Sequence, residues 1–205
     1  MKKLILLLTL VASGLMAKGQ NNIGLYFSQN FSTFRFLNND GEKEDLKYTI
    51  KYGYGLIYQI QFDSNIFAEG LLSYNNKGAN SQIGNTKLDW SFHYVNLGIN
   101  GGYKFNLGRI QPHVGTGFYY GHLLKADQFI GIDYYDLMSM DIISMNDLGL
   151  NIFGGMSYEY SRNGFVFIRL NQEIGLLQME KDDEDNQKMF NRTFSIQLGL
   201  LFNIN

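Results

Sequence analysis

Arg169, Asn171 and Glu173 recur at every second position, and Lys51, Gln59, Glu69 and Glu159 hold the equivalent parity in other segments of the chain. In an extended strand, a spacing of two puts side chains on one face. Carboxylates, cations and amides sharing a sheltered face must pair with one another, because an isolated buried charge is very costly. The expectation for these seven residues is a structural polar cluster that fills an enclosed space. The competing expectation is a cluster that rearranges to open a conduit. That needs room for water, which a small closed sheet does not leave.

Other chemistry has less to stand on. The histidines are His93, His113 and His122, and no two of them have the spacing of metal ligands. Nucleophilic catalysis needs a serine or histidine oriented by a carboxylate, and His122 has no Ser-Asp arrangement beside it, so hydrogen bonding is its expected role. Glu180 to Asp185 is an acidic run without the spaced oxygen ligands and glycine of a calcium loop, and it reads as a solvated loop. With no cysteine, thiolate metal sites, disulfides and acylation at cysteine are excluded. No catalytic, metal or cofactor residue is expected, and the chain is read as non-enzymatic.

The elements that position the polar face are eight segments of period-two alternation, beginning near residue 22. Tyr48 to Phe62 is the clearest. Tyr48, Ile50, Tyr52, Tyr54, Leu56, Tyr58, Ile60 and Phe62 alternate with Thr49, Lys51, Gly53, Gly55, Ile57, Gln59 and Gln61. Similar alternation runs through Ile110–Tyr120, Leu148–Tyr158 and Phe194–Phe202. The less apolar face is mostly Gly, Ser, Asn and Gln, too little hydrocarbon for the core of a soluble protein. That face is therefore expected inside a narrow barrel, with the apolar face toward lipid.

The connections alternate in length. Leu37–Lys47, Asn76–Lys87, Lys125–Asn146 and Gln178–Asn191 are long; Asp63–Asn65, Asn106–Arg109 and Arg162–Gly164 are short. This is the asymmetry of an eight-stranded antiparallel up-and-down transmembrane β-barrel, an all-β fold. The three-residue turns pair Gln59 with Glu69 and set Glu159 diagonal to Arg169. Phase breaks near Ser32–Thr33 and Tyr94–Val95 predict bulges. Tyr48, Trp90, Phe92 and Tyr120 toward the long-loop end, and Phe62, Phe105, Tyr158, Tyr160 and Phe202 toward the turn end, are expected to form two interfacial aromatic girdles.

Met1-Lys2-Lys3, the apolar run Leu4–Val11 and the small residues Ala17 and Gly19 predict a cleavable signal peptide over residues 1–19, leaving residues 20–205 as one domain. A net charge of −2 and a pI near 5.9 argue against a nucleic-acid partner. Lys125–Asn146 mixes Asp127, Asp133, Asp136 and Asp141 with Tyr134, Tyr135, Met138 and Met140. Two expectations attach to it: a β-hairpin extension, or an adaptable surface for an unknown extracellular protein or glycan partner.

Pro112-His113-Val114-Gly115-Thr116-Gly117-Phe118-Tyr119-Tyr120-Gly121 resembles the fifth strand of an outer-membrane β-barrel family widespread in Bacteroidota, to which PorT-like proteins belong. Asn191-Arg192-Thr193-Phe194-Ser195-Ile196-Gln197-Leu198-Gly199-Leu200-Leu201-Phe202 resembles its last strand, and Tyr74-Asn75-Asn76-Lys77-Gly78 the end of its third. The resemblance implies export to the Gram-negative outer membrane, with its lipid and lipopolysaccharide as surroundings. It also implies insertion by the assembly machinery that reads a terminal aromatic, here Phe202 followed by Asn203-Ile204-Asn205. The expected role is structural or surface-interacting through the exterior loops. A conduit or secretion-accessory role of the PorT-like kind is the alternative.

Overall fold

The computed structural model describes residues 19–37, 43–44, 46–62, 65–181 and 188–204. The expected signal peptide lies outside them except for Gly19, and so does most of the acidic run after Glu180. The elements are β1 (Gln20–Leu37), β2 (Lys43–Glu44), β3 (Thr49–Gln61), β4 (Ile66–Ile83), β5 (Thr86–Lys104), β6 (Ile110–Ile130), β7 (Asp133–Asp136), β8 (Asn146–Ser161), β9 (Gly164–Gly175) and β10 (Lys188–Asn203).

Among the described residues, eight long strands, β1, β3, β4, β5, β6, β8, β9 and β10, each pair antiparallel with the next. β10 returns to β1 from Asn22↔Asn203 to Leu37↔Lys188, closing the ring. Closure pairs the backbone groups that an open edge would leave bare, a condition for crossing hydrocarbon with strands. β2 and β7 are short additions on β1 and β6.

The outer wall is apolar around its circumference. Leu200, Leu25, Leu56, Leu72, Leu97, Tyr120 and Leu148 follow one another across successive strand pairs as a continuous row. Ile99, below that row, is 75% exposed. Tyr54 and Tyr74 stack on the same face with ring centroids 5.2 Å apart. An apolar belt of this extent far exceeds the patches that water-soluble proteins expose.

Inward positions alternate with these, and many are glycines because an aromatic ring lies over them. A Cβ on Gly199 would sit 2.5 Å from the Phe167 ring, and one on Gly115 would sit 2.4 Å from the ring of Phe153. The interior thus holds more hydrocarbon than the expected glycines and amides. Tyr26, Ile57, Phe165, Phe167 and Leu201 form one buried apolar cluster in the half nearer the short turns.

Several connections differ from expectation. Asn76–Lys87 is strand: the β4–β5 ladder runs on to Ile83↔Thr86, and Gly84 (φ 60°) takes the left-handed position of the tip. Lys125–Asn146 contains a hairpin extension, β6–β7, paired to Ile130↔Asp133 with Gly131 at φ 64°. At the turn end, the four-residue connection closes more tightly, with Leu107 opposite Ile110 and Gly108 at φ 75°. The Arg162–Gly164 turn also tightens, to Ser161↔Gly164, and Tyr160 is skipped as a bulge.

The expected bulge in β1 is absent. Ser32↔Thr193 and Thr33↔Arg192 continue the register without a shift, and Phe34 simply faces inward. A register shift does occur at the height of Tyr94, but the extra residue is Leu124 of β6: His93 pairs with Lys125 and Tyr94 with Leu123.

Candidate functional site

The lumen is crossed by two buried charge clusters, one above the other. In the lower, Arg169 on β9 reaches Glu69 on β4 through Nη1 to Oε1 at 2.7 Å and Nη2 to Oε2 at 3.0 Å. Asn100 donates to Glu69 Oε1 at 3.0 Å and Gln59 to Oε2 at 3.3 Å, so the carboxylate accepts four hydrogen bonds. Gln59 lies directly opposite Glu69 in the β3–β4 ladder, as the turn parity predicts. Lys104 donates to Gln59 and Gln61, both at 3.0 Å, and the Arg169 guanidinium lies 4.2 Å from the Phe153 ring centroid. Bidentate pairing with a ring beneath exploits arginine's planar fork.

The upper cluster centres on Lys77, which is 0% exposed. Its Nζ lies 2.7 Å from Glu173 Oε2 and 3.7 Å from Asp147 Oδ2, with the Tyr119 ring centroid 4.4 Å away. Tyr119 and Asn191 donate to Asp147 Oδ2 at 3.0 and 2.8 Å. Between the clusters is a cavity of about 20 Å³ lined in part by Asn96, Asn151, Asn171 and Gln197. That is about the space of a single water molecule.

Of the seven residues expected in the lumen, Gln59, Glu69, Arg169, Asn171 and Glu173 are there. Lys51 is not part of either cluster. Beyond Gly53↔Asn75 the β3–β4 pairing lapses, and the Lys51 side chain passes across Gly78 to Asp89, 3.3 Å away. Glu159 stays at the turn end opposite Phe165, because the skipped Tyr160 shifts the register and sets Gly155 against Arg169. Sequence reasoning missed Lys77, Asn100, Lys104, Tyr119 and Asp147. Lys77 and Asp147 fall at the margins of the predicted long connections, although both continue the inward parity of Ser73-Asn75 and Gly149-Asn151.

Residues 17–179 match the family described as outer membrane protein beta-barrel domain. This chain belongs to that family. Its outward apolar belt and closed ring are those of an outer-membrane barrel. Three solved structures share the fold at low sequence identity. Neisserial surface protein A (NspA) is 11% identical, with TM-score 0.53, covering 90% of this chain and 97% of its own. OprG of Pseudomonas aeruginosa is 13% identical, with TM-score 0.55, covering 91% and 96%. Ail, the attachment invasion locus protein of Yersinia pestis, is 12% identical, with TM-score 0.50, covering 91% and 99%. None of the curated proteins compared matches this chain.

In an outer-membrane barrel the short turns face the periplasm and the long excursions face outward. Above the level of Ser32 the interior of this outer-membrane barrel changes character. Phe34, Ala79, Phe92, Leu123, Ala126, Leu137, Ile143, Met179 and Met189 pack together as a second apolar core, with Tyr94 at its base. Outside the membrane the wall faces water, so the hydrocarbon of each strand turns inward. Trp90 follows this rule. It packs inward, edge-on to Phe34 at 6.3 Å, and Phe92 is fully buried in the same core, so neither is an interfacial girdle residue. Tyr48, Phe105, Tyr120, Tyr158, Tyr160 and Phe202 are exposed on the outer wall, while Phe62 is half-buried.

The histidines are dispersed. His113 is buried in the lumen beside Phe67 and Phe153. His122 is exposed near Asn146, 3.4 Å away. His93 binds the Tyr74 hydroxyl through Nδ1 at 2.5 Å, and Ser91 Oγ is 3.5 Å from its Nε2. Ser91 donates instead to Asn76 Oδ1 at 3.2 Å, an arrangement that does not prime a nucleophile. Outside the membrane, Tyr134 of β7 donates to Asp127 Oδ1 at 2.8 Å, and this bond to a carboxylate raises the phenol's pKa above 10.0.

Proposed function

We propose that this protein is a non-conducting, non-enzymatic outer-membrane barrel whose exterior extension serves as a rigid surface for interaction. The reading rests on one observation: Glu69–Arg169 and Lys77–Glu173–Asp147 cross the lumen at two heights, with about 20 Å³ between them. An aqueous path would have to break both clusters, leaving buried charges unpaired. The exterior segment 125–146, which includes the β6–β7 hairpin, is the part offered to an extracellular protein or glycan partner. Export proceeds through removal of residues 1–19, insertion through the outer-membrane assembly machinery reading Phe202, and residence among lipid and lipopolysaccharide. The aromatics Tyr48, Tyr120, Phe105, Tyr158, Tyr160 and Phe202 set the depth in that membrane.

Planar-bilayer recording of the purified full chain tests this. No discrete conductance steps are expected; stable steps abolished by disrupting the Glu69–Arg169 pair would replace this reading with a conduit. A PorT-like secretion role would instead appear as loss of secreted cargo on deletion. Mass determination of the mature N-terminus, expected at Gln20, checks the export step.

A further inference from the structure

The exterior apolar core has an open side. A cavity of about 320 Å³ enters it, with Leu88, Trp90, Ile142 and Met189 on its walls and Gln128 and Glu180 among its polar groups. Packed interiors leave few voids larger than a water molecule. Ligand pockets run from roughly 300 to 1,000 Å³, are mostly apolar with a few placed polar groups, and recur in the mouths of β-barrels.

The walls are held in place. Trp90 is braced edge-on against Phe34, and Ile143 pairs with Glu180 on the opposite side. The Lys181 amide donates to the Ile142 carbonyl at 2.9 Å and the Ser144 amide to Met179 at 2.6 Å, joining the segment after β7 to the segment before β10. Beneath the core, the Lys77 cluster seals the lumen.

We propose that this cavity is a binding site for one small apolar molecule that carries a hydrogen-bond donor, taken up from the exterior. Its volume admits a fused-ring aromatic or a short-chain amphiphile and is too small for a two-chain lipid. The hydrocarbon walls receive the body of the molecule. The Gln128 amide, on the same wall, accepts from its donor through the side-chain oxygen. The site is independent of whether the lumen conducts.

Trp90 is the only tryptophan in the chain, so its emission reports on the cavity directly. The full chain in lipid nanodiscs is titrated with N-phenyl-1-naphthylamine, an apolar probe with one N–H. The expected result is saturable binding at one site per chain, with energy transfer from Trp90. Ser81, on the same wall, is replaced by phenylalanine to fill the mouth. Ser81→Phe is expected to weaken binding at least tenfold, while His122→Ala leaves it unchanged. Non-saturable uptake equal to that of empty nanodiscs overturns the proposal, as does saturable binding without Trp90 energy transfer. Should Ser81→Phe fail to fold, a diazirine analogue of the probe is cross-linked to the unaltered chain. Labelling within residues 81–90 or 137–143 supports the site, and labelling confined to lipid-facing positions overturns it.

Discussion

Arg169 and Glu69 meet across the barrel lumen through two parallel hydrogen bonds, joining β9 to β4, strands that share no ladder. Each is buried, at 3% and 2% exposure, so neither charge has water to fall back on. This pair tethers opposite walls in a way that no strand pairing does.

Removing one partner should therefore cost far more than removing both. Arg169→Met is expected to destabilise the barrel by about 3–5 kcal/mol, since it strands a buried carboxylate. Combining it with Glu69→Gln should recover most of that loss. Denaturant titrations of the folded, heat-modifiable form measure the cycle. Equal and additive losses from the two changes would show that the pair carries no coupling.

The outward row should respond to charge according to depth. Ile152, midway along β8 and 53% exposed, faces the apolar belt. Ile152→Lys should cost about 2–4 kcal/mol, the range for a cation near the bilayer midplane. Ile132, 99% exposed between β6 and β7, should accept lysine without loss. Refolding equilibria in lipid vesicles compare the two. Cysteine at Leu56, Ile152 or Leu198 should likewise resist water-soluble thiol reagents in intact cells.

The membrane part of the fold was legible because a single rule governs it: apolar faces lipid. From that rule follow the strand parity, the turn parity and the Gln59–Glu69 pairing. Above the membrane the rule reverses, and a reading that kept it had to place a bulge at Ser32–Thr33 and turn Trp90 outward. The polar outer faces of β4 and β5 beyond Asn76 also looked like loop, which hid Lys77. The Glu69–Arg169 pairing was beyond reach for a different reason. Parity assigns a side chain to the inside, but which residues meet across the lumen depends on the stagger of all eight strands.

The exterior core should behave as a unit separable from the barrel wall. Phe92 is 0% exposed within it, packed on Phe34 with ring centroids 5.2 Å apart. Phe92→Ala should cost about 3–5 kcal/mol of packing locally. The expected signature is new proteinase K cleavage in the exterior segments of whole cells, with the membrane fragment still shifting on boiling. Loss of the shift itself would mean that the core is needed for barrel closure.

Alkaline pH should loosen the β6–β7 hairpin. Tyr134 has its pKa raised above 10.0, first by the hydrogen bond it donates to Asp127. A raised value means that the protonated phenol is the form favoured by folding. The contribution is complete below pH 10 and lost as pH rises through the raised pKa. Difference absorbance at 295 nm between the parent chain and Tyr134→Phe should isolate one phenol titrating later than the exposed tyrosines. Titration at or below pH 10 would remove the bond's proposed part in holding the hairpin.

The unbroken β4–β5 ladder sets how far the protein reaches. It pairs without a shift from Ile66↔Tyr103 to Ile83↔Thr86, a run of about 60 Å at roughly 3.3 Å per residue. Strands inclined at about 40° around an apolar band of about 25 Å then raise the tip near Gly84 by only about 20 Å above the hydrocarbon. On a cell coated with long polysaccharide the tip would lie beneath the coat, and whatever engages it must be slender enough to penetrate that far or be part of the coat itself.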